Sequence, residues 1–149
     1  MHPLRQVVRR ALWASGIGAA ALFAAACAQV SSPAPSGANV LLNGSQEVPP
    51  VSTTATGSGT ITVLMDRSVF GSVTTSGVAG TVAHIHLGAP GQNGPVIIPL
   101  NRTADTTWSV PASIRLNDAQ YEAFRLGNLY VNVHSAANPG GEIRGQVTP

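Results

Sequence analysis

Lysine is absent from the 149 residues of this chain, and cysteine occurs once, at Cys27. A single cysteine forms no disulfide within the chain, so burial and hydrogen bonds alone must hold the fold, even in an oxidising compartment. All eight basic residues are arginine, and Arg5, Arg9 and Arg10 crowd the first ten positions. Without those three, five arginines face the six acids Glu47, Asp66, Asp105, Asp118, Glu122 and Glu142, which leaves the remaining chain near −1. The basic character belongs to the N-terminus, and no nucleic acid is expected as a partner. Also missing are tandem repeats, a Gly-rich phosphate loop, a Gly-x-Ser-x-Gly elbow and a His-Glu-x-x-His helix. No serine or threonine sits in a recognisable nucleophile motif, and no catalytic residue is assigned.

What the N-terminus does contain is an export pattern. Residues 1–26 run from an arginine-bearing segment through the small and apolar stretch Ala11 to Phe23, too short to span a bilayer comfortably, to Ala24-Ala25-Ala26. They read as a signal peptide. Phe23-Ala24-Ala25-Ala26-Cys27 resembles a bacterial lipobox, in which the cysteine is lipidated and becomes the first mature residue. Ordinary cleavage after Ala-x-Ala, or an uncleaved anchor, are the competing readings. Residues 27–38 hold Ser31-Ser32-Pro33-Ala34-Pro35-Ser36-Gly37, with nothing to bury, and read as a tether from the lipidated Cys27. The expected address is therefore the cell envelope or periplasm, with a membrane as partner through Cys27.

Residues 39–149 form the expected domain. Asn39 to Leu42 reads as a short strand ended by the turn dipeptide Asn43-Gly44, and Gln46 to Val51, with two prolines, as an edge or loop. Gly59 to Leu64 and Val69 to Thr74 alternate across an Asp66-Arg67-Ser68 turn and predict a hairpin. Further strands are expected at 83–87, 96–100, 106–110, 129–134 and 142–147, with glycine- and proline-rich loops at 88–95 and 138–141. One helix, at about 117–126, has Asn117 as N-cap, Gln120 in the capping-box position and Gly127 just past its end. This pattern predicts an all-β, antiparallel, Greek-key-like β-sandwich or barrel with one short helix.

Histidine is scarce, and its placement carries the chemistry. Apart from His2, the histidines are His84 and His86 in Ala83-His84-Ile85-His86-Leu87, and His134 in Leu129-Tyr130-Val131-Asn132-Val133-His134. In an extended strand His84 and His86 share one face, about 6.5 to 7 Å apart along the backbone, and Tyr130, Asn132 and His134 share a face of the second strand. Three imidazoles meeting at one point suit copper or zinc, with an open fourth position. Asn132 or Glu142 would then orient a ring from behind. The competing reading is a metal-free hydrogen-bond network of these histidines with Asn132, Glu142 and Arg144. Glu47 and Arg144 are candidates for a supporting role beside the histidines, Arg144 steering an anion, but an ion pair pinning the proline segment to the last strand is the favoured expectation. Tyr130 is read as a half-buried strand tyrosine and Trp108 as core or rim.

Five segments in series, Glu47-Val48-Pro49-Pro50, Ala83-His84-Ile85-His86, Gly91-Gln92-Asn93-Gly94-Pro95, Gly127 to His134 and Gly140-Gly141-Glu142-Ile143-Arg144-Gly145-Gln146, resemble the CHRD family of domains first described in chordin. The resemblance covers about residues 40 to 148 and implies an all-β extracytoplasmic domain whose molecular activity is mostly unassigned. More distantly, His-x-His followed by a late histidine before Gly-x-x-Arg-Gly is similar to the order of copper ligands in copper/zinc superoxide dismutases. The chain has no bridging histidine, no His/Asp zinc cluster and no cysteine pair, so that likeness reaches only to a mononuclear site. The expected role is a non-enzymatic binding module for a protein or a small ligand. The alternatives are a copper-dependent redox protein and a purely adhesive surface domain.

Overall fold

The computed structural model describes residues 37–149. The expected signal peptide 1–26, the lipidated Cys27 and nearly all of the tether lie outside the described residues. Nine strands form one antiparallel sheet: β1 (Ala38–Asn43), β2 (Thr56–Val63), β3 (Val69–Ser76), β4 (Gly80–Leu87), β5 (Val96–Pro99), β6 (Asn101–Ala104), β7 (Thr107–Ser109), β8 (Leu129–Ser135) and β9 (Ile143–Val147). One helix, α1 (Asp118–Arg125), precedes β8. The spatial order is β5-β4-β8-β9-β1-β2-β3-β7-β6. Its two outer members, β5 and β6, are separated in the chain by Leu100 alone, so the chain itself draws the two sheet edges together. The sheet thereby curls into a nearly closed barrel, which disposes of most of its unpaired edge. Neighbours distant in sequence, β4 with β8, β9 with β1 and β3 with β7, give the Greek-key character.

The interior follows from strand alternation. Val40 and Leu42 of β1, Ile61 of β2, Val73 of β3, Ile85 of β4, Val131 and Val133 of β8, and Ile143 and Val147 of β9 all point inward and are buried, together with Trp108 from β7. Trp108 is thus core rather than rim.

Local chemistry accounts for the elements outside the ladder. Asn43 ends β1 and its side chain accepts from the Gln46 amide, so the Asn43-Gly44 turn is a single 3-10 turn over Gly44–Gln46. Asn117 and Gln120 form the reciprocal capping box of α1, at 2.9 and 3.0 Å. Its C-terminus closes with Gly127 in the left-handed region (φ 70°), the Gly127 amide on the Phe124 carbonyl and the Asn128 amide on that of Ala123. That pair of bonds is a Schellman motif, which glycine alone accommodates without a Cβ penalty. The helix turns Phe124 into the core and delivers the chain into β8.

β8 departs from simple alternation, because all seven of its residues are buried. Leu129, Val131 and Val133 face the core; Tyr130, Asn132 and His134 face outward yet are covered. The cover is a roof of three loops. The segment after β1 reaches Asn132 through Glu47, the 88–95 loop reaches Tyr130 through the Gly94 amide, and the 136–142 turn reaches His134 through the Pro139 carbonyl. The Asn93 side chain donates to the Val48 carbonyl at 2.7 Å, joining two of these loops.

Candidate metal centre

β4 and β8 place the three histidines by register. Val82 pairs with His134, His84 with Asn132 and His86 with Tyr130, so His134 lies diagonally across the ladder from His84 on the same outward face. The ring centroids stand 5.0 Å apart for His84 and His134, 5.6 Å for His84 and His86, and 6.0 Å for His86 and His134. One nitrogen from each ring lies within 4.8 Å of the others.

The roof fixes two of the rings. His86 Nδ1 donates to the Gly94 carbonyl and His134 Nδ1 to the Pro139 carbonyl, each at 2.9 Å. A carbonyl only accepts, so both Nδ1 atoms carry the proton and both Nε2 atoms are left as lone-pair donors. His134 Nε2 sits 3.2 Å from His84 Nδ1. His86 Nε2 is buried and has no partner among the described residues. Burial holds the His84 and His86 imidazoles below the ordinary histidine value, and His134 beside each lowers it further. For His86 the Gly94 carbonyl pulls the other way without reversing the result. Both rings are therefore neutral at pH 7, the state in which imidazole ligates.

These donors fit a metal ion. Two nitrogens at about 2.05 Å from a tetrahedral ion stand about 3.3 Å apart, close to the 3.2 Å between His84 and His134. Bringing in the widest of the three donors takes a movement of about 1.5 Å, within reach of a side-chain rotation. Three histidines close together can hold a metal.

The supporting residues lie elsewhere than expected. The rings are oriented by the carbonyls of Gly94 and Pro139 rather than by Asn132 or Glu142. Asn132 instead donates to Glu47 Oε2 at 3.2 Å. Glu142 accepts from the Thr53 hydroxyl at 2.9 Å, and hydrogen bonding, chiefly from Ser135, holds its carboxyl below the usual range. Nor do Glu47 and Arg144 form the expected ion pair; the salt bridges among the described residues join Arg67 to Asp118, Arg115 to Asp66 and Arg125 to Glu122. Arg144 instead lies over the Tyr130 ring, its guanidinium carbon 3.5 Å from the centroid, and donates to the Ala89 carbonyl at 3.0 Å. Burial pushes the Glu47 carboxyl up to about 7, against the lowering effects of Asn132 and Arg144. Glu47 Oε1 and Asn132 Oδ1 are both buried without a hydrogen-bond partner among the described residues.

Tyr130 is fully covered, not half-buried. Its ring stacks on His86 at 4.8 Å and 11°. A guanidinium and an imidazole cannot share one face of a phenol at these separations, so Tyr130 is a partition with His86 on one side and Arg144 on the other. Sequence reasoning missed the two carbonyl anchors because backbone acceptors leave no residue-type signature. The signal available was position: the loops at 88–95 and 138–141 directly follow the two histidine strands.

The sequence model of the CHRD domain matches residues 38–147. No curated protein and no solved structure matches the chain.

Proposed function

The chain belongs to the CHRD-domain family, and from that premise we propose that it is an exported binding module, anchored to a membrane of the cell envelope through a lipidated Cys27, whose histidine cluster holds one copper or zinc ion. The observation that carries the metal reading is His86 Nε2: a buried, unpartnered lone pair beside the nitrogens of His84 and His134. A buried acceptor without a partner costs about 1 to 3 kcal/mol, and an ion at this point would remove that cost. Imidazole sets suit copper and zinc, and three protein ligands leave a fourth position open. The anchor rests on the arginine-bearing, apolar N-terminal segment that ends at Cys27.

Isothermal titration of the purified protein with Cu(II) and with Zn(II) tests this. One ion per chain is expected, with stoichiometric binding lost in His86→Ala and in His134→Ala; wild-type binding by both folded variants would refute the site. Mass spectrometry of protein extracted from the envelope should find a diacylglyceryl adduct on Cys27 that Cys27→Ser lacks. One observation favours a second reading, a copper-dependent redox protein: Tyr130, an oxidisable ring, stacks directly on His86. Superoxide and peroxide turnover by the copper-loaded protein separates that reading from simple binding.

A further inference from the structure

Beyond the Tyr130 partition, away from His86, a cavity of about 370 Å³ opens between the Gln46–Pro50 segment and the tip of the 88–95 loop. Arg144 and Glu47 are the ionisable side chains that line it. Arg144 is 1% exposed, and a guanidinium buried to that degree normally has a carboxylate partner. It has none among the described residues. Its Nη atoms donate to three neutral acceptors, the Ala89 carbonyl at 3.0 Å, Gln146 Oε1 at 3.4 Å and Asn93 Oδ1 at 3.5 Å, and no hydrogen bond among the described residues engages its Nε. Gln146 is fixed in turn, its amide donating to the Gly88 and Gly127 carbonyls at 2.8 Å each, so the guanidinium is braced on one side and lacks a counter-charge on the other.

We propose that this cavity binds a small organic carboxylate, held by the Arg144 guanidinium. A planar guanidinium edge and a carboxylate match as a two-pronged pair, which a tetrahedral anion or a halide matches less well. The volume lies at the lower end of ligand pockets, about 300 to 1,000 Å³, and admits a compact acid rather than a long chain. Glu47 does not supply the missing charge, since burial keeps its carboxyl largely protonated below about pH 7. The site is separate from the histidine cluster and does not depend on the metal reading.

The test is a titration of the purified ¹⁵N-labelled protein at pH 6 with acetate, pyruvate and succinate, against chloride, sulfate and phosphate at matched ionic strength. At least one carboxylate should bind saturably at millimolar concentration or below, with shifts centred on Arg144, Gln146 and Gly91, and at least tenfold more tightly than the inorganic anions. Ser45 is an exposed residue of the cavity lining, so Ser45→Glu should weaken binding at least tenfold while leaving the fold intact, and Arg144→Gln should abolish it. Equal response to sulfate or phosphate, no saturation with any carboxylate, or undiminished binding by Ser45→Glu would each overturn the proposal, including where Arg144→Gln fails to fold.

Discussion

The outer face of β4, β8 and β9 and the outer face of β2 and β3 are built from the same strand alternation and meet opposite fates. On β2 and β3 the outward residues Thr56, Ser58, Thr60, Thr74 and Ser76 stay in solvent and carry no charge; Thr60 donates to Asn39 Oδ1 and the Thr74 hydroxyl meets that of Thr107, each at a long 3.4 Å. On β8 and β9 the outward residues Tyr130, Asn132, His134 and Arg144 are buried beneath loops that supply their partners. A polar strand face becomes a site only when something covers it, because water otherwise competes for every hydrogen bond and keeps every imidazole adaptable. The roof buries that face, sets two histidine tautomers and, among the described residues, leaves one lone pair without a partner and one cation without a counter-charge.

The sharpest way to break this difference is to lift the roof. Gly94 binds both sides of the site at once, its carbonyl on His86 and its amide on the Tyr130 hydroxyl. A Cβ there would lie 1.7 Å from the Leu87 carbonyl oxygen, so the loop has to move. Gly94→Ala should cost about 3 kcal/mol, at the upper end for overpacking, and weaken copper or zinc binding about 10- to 100-fold, as loss of a ring-orienting partner does. Denaturant unfolding and metal titration measure the two effects. A variant that loses stability but keeps its metal affinity would mean that the carbonyl does not orient His86.

A smaller effect comes from the proton on Glu47. Its carboxyl is raised from 4.5 to about 7 on folding, so between those values the folded chain binds more protons than the unfolded one. The stabilisation is fully present below about pH 4.5 and is lost as pH rises through about 7, amounting to about 2 kcal/mol between pH 5 and 7. His84 and His86 act in the opposite sense, since their lowered values make the folded chain the poorer proton binder just below pH 6.5, where stability falls with falling pH. Comparing wild type with Glu47→Gln cancels the histidines and isolates the carboxyl. Parallel stability curves for the two proteins over pH 5 to 7 would show that Glu47 is ionised in the fold.

Legibility in the sequence followed the range of the interaction. The β2–β3 hairpin, the capping box of α1 and its Gly127 terminus were readable because each is decided within a few residues. That His84 and His86 share a face was readable from strand period alone. Their meeting with His134 was not, since it depends on the register of β4 against β8, and a slip of one residue would turn His134 to the other face. The roof was least visible: alternation in β8 predicts a half-exposed Tyr130, and only the covering loops, such as the one that brings Gly94 to Tyr130 from 36 residues away in the chain, bury that face. Choice of partner failed for the same reason. Glu47 and Arg144 match as a pair by charge, but burial keeps Glu47 largely uncharged below about pH 7 and Tyr130 offers Arg144 a flat aromatic face.

One substitution made on both faces turns the comparison into a number. Thr53 donates its hydroxyl to Glu142 Oε1 at 2.9 Å at the border of the roof, whereas the Thr74 hydroxyl is exposed and meets Thr107 Oγ1 at 3.4 Å. Valine keeps the shape of threonine and removes the hydroxyl, which at Thr53 also accepts from the Ala55 amide at 3.1 Å. Thr53→Val should cost about 1 to 1.5 kcal/mol, since a charged acceptor loses a bond it cannot fully replace with water. Thr74→Val should change stability by less than about 0.5 kcal/mol, because water replaces the lost bond and valine suits a strand at least as well. Urea unfolding of the two variants side by side gives the difference directly. Equal costs would mean that the loops cover the outer face of β8 and β9 without drying it, and the unpaired nitrogen of His86 would then have water for a partner.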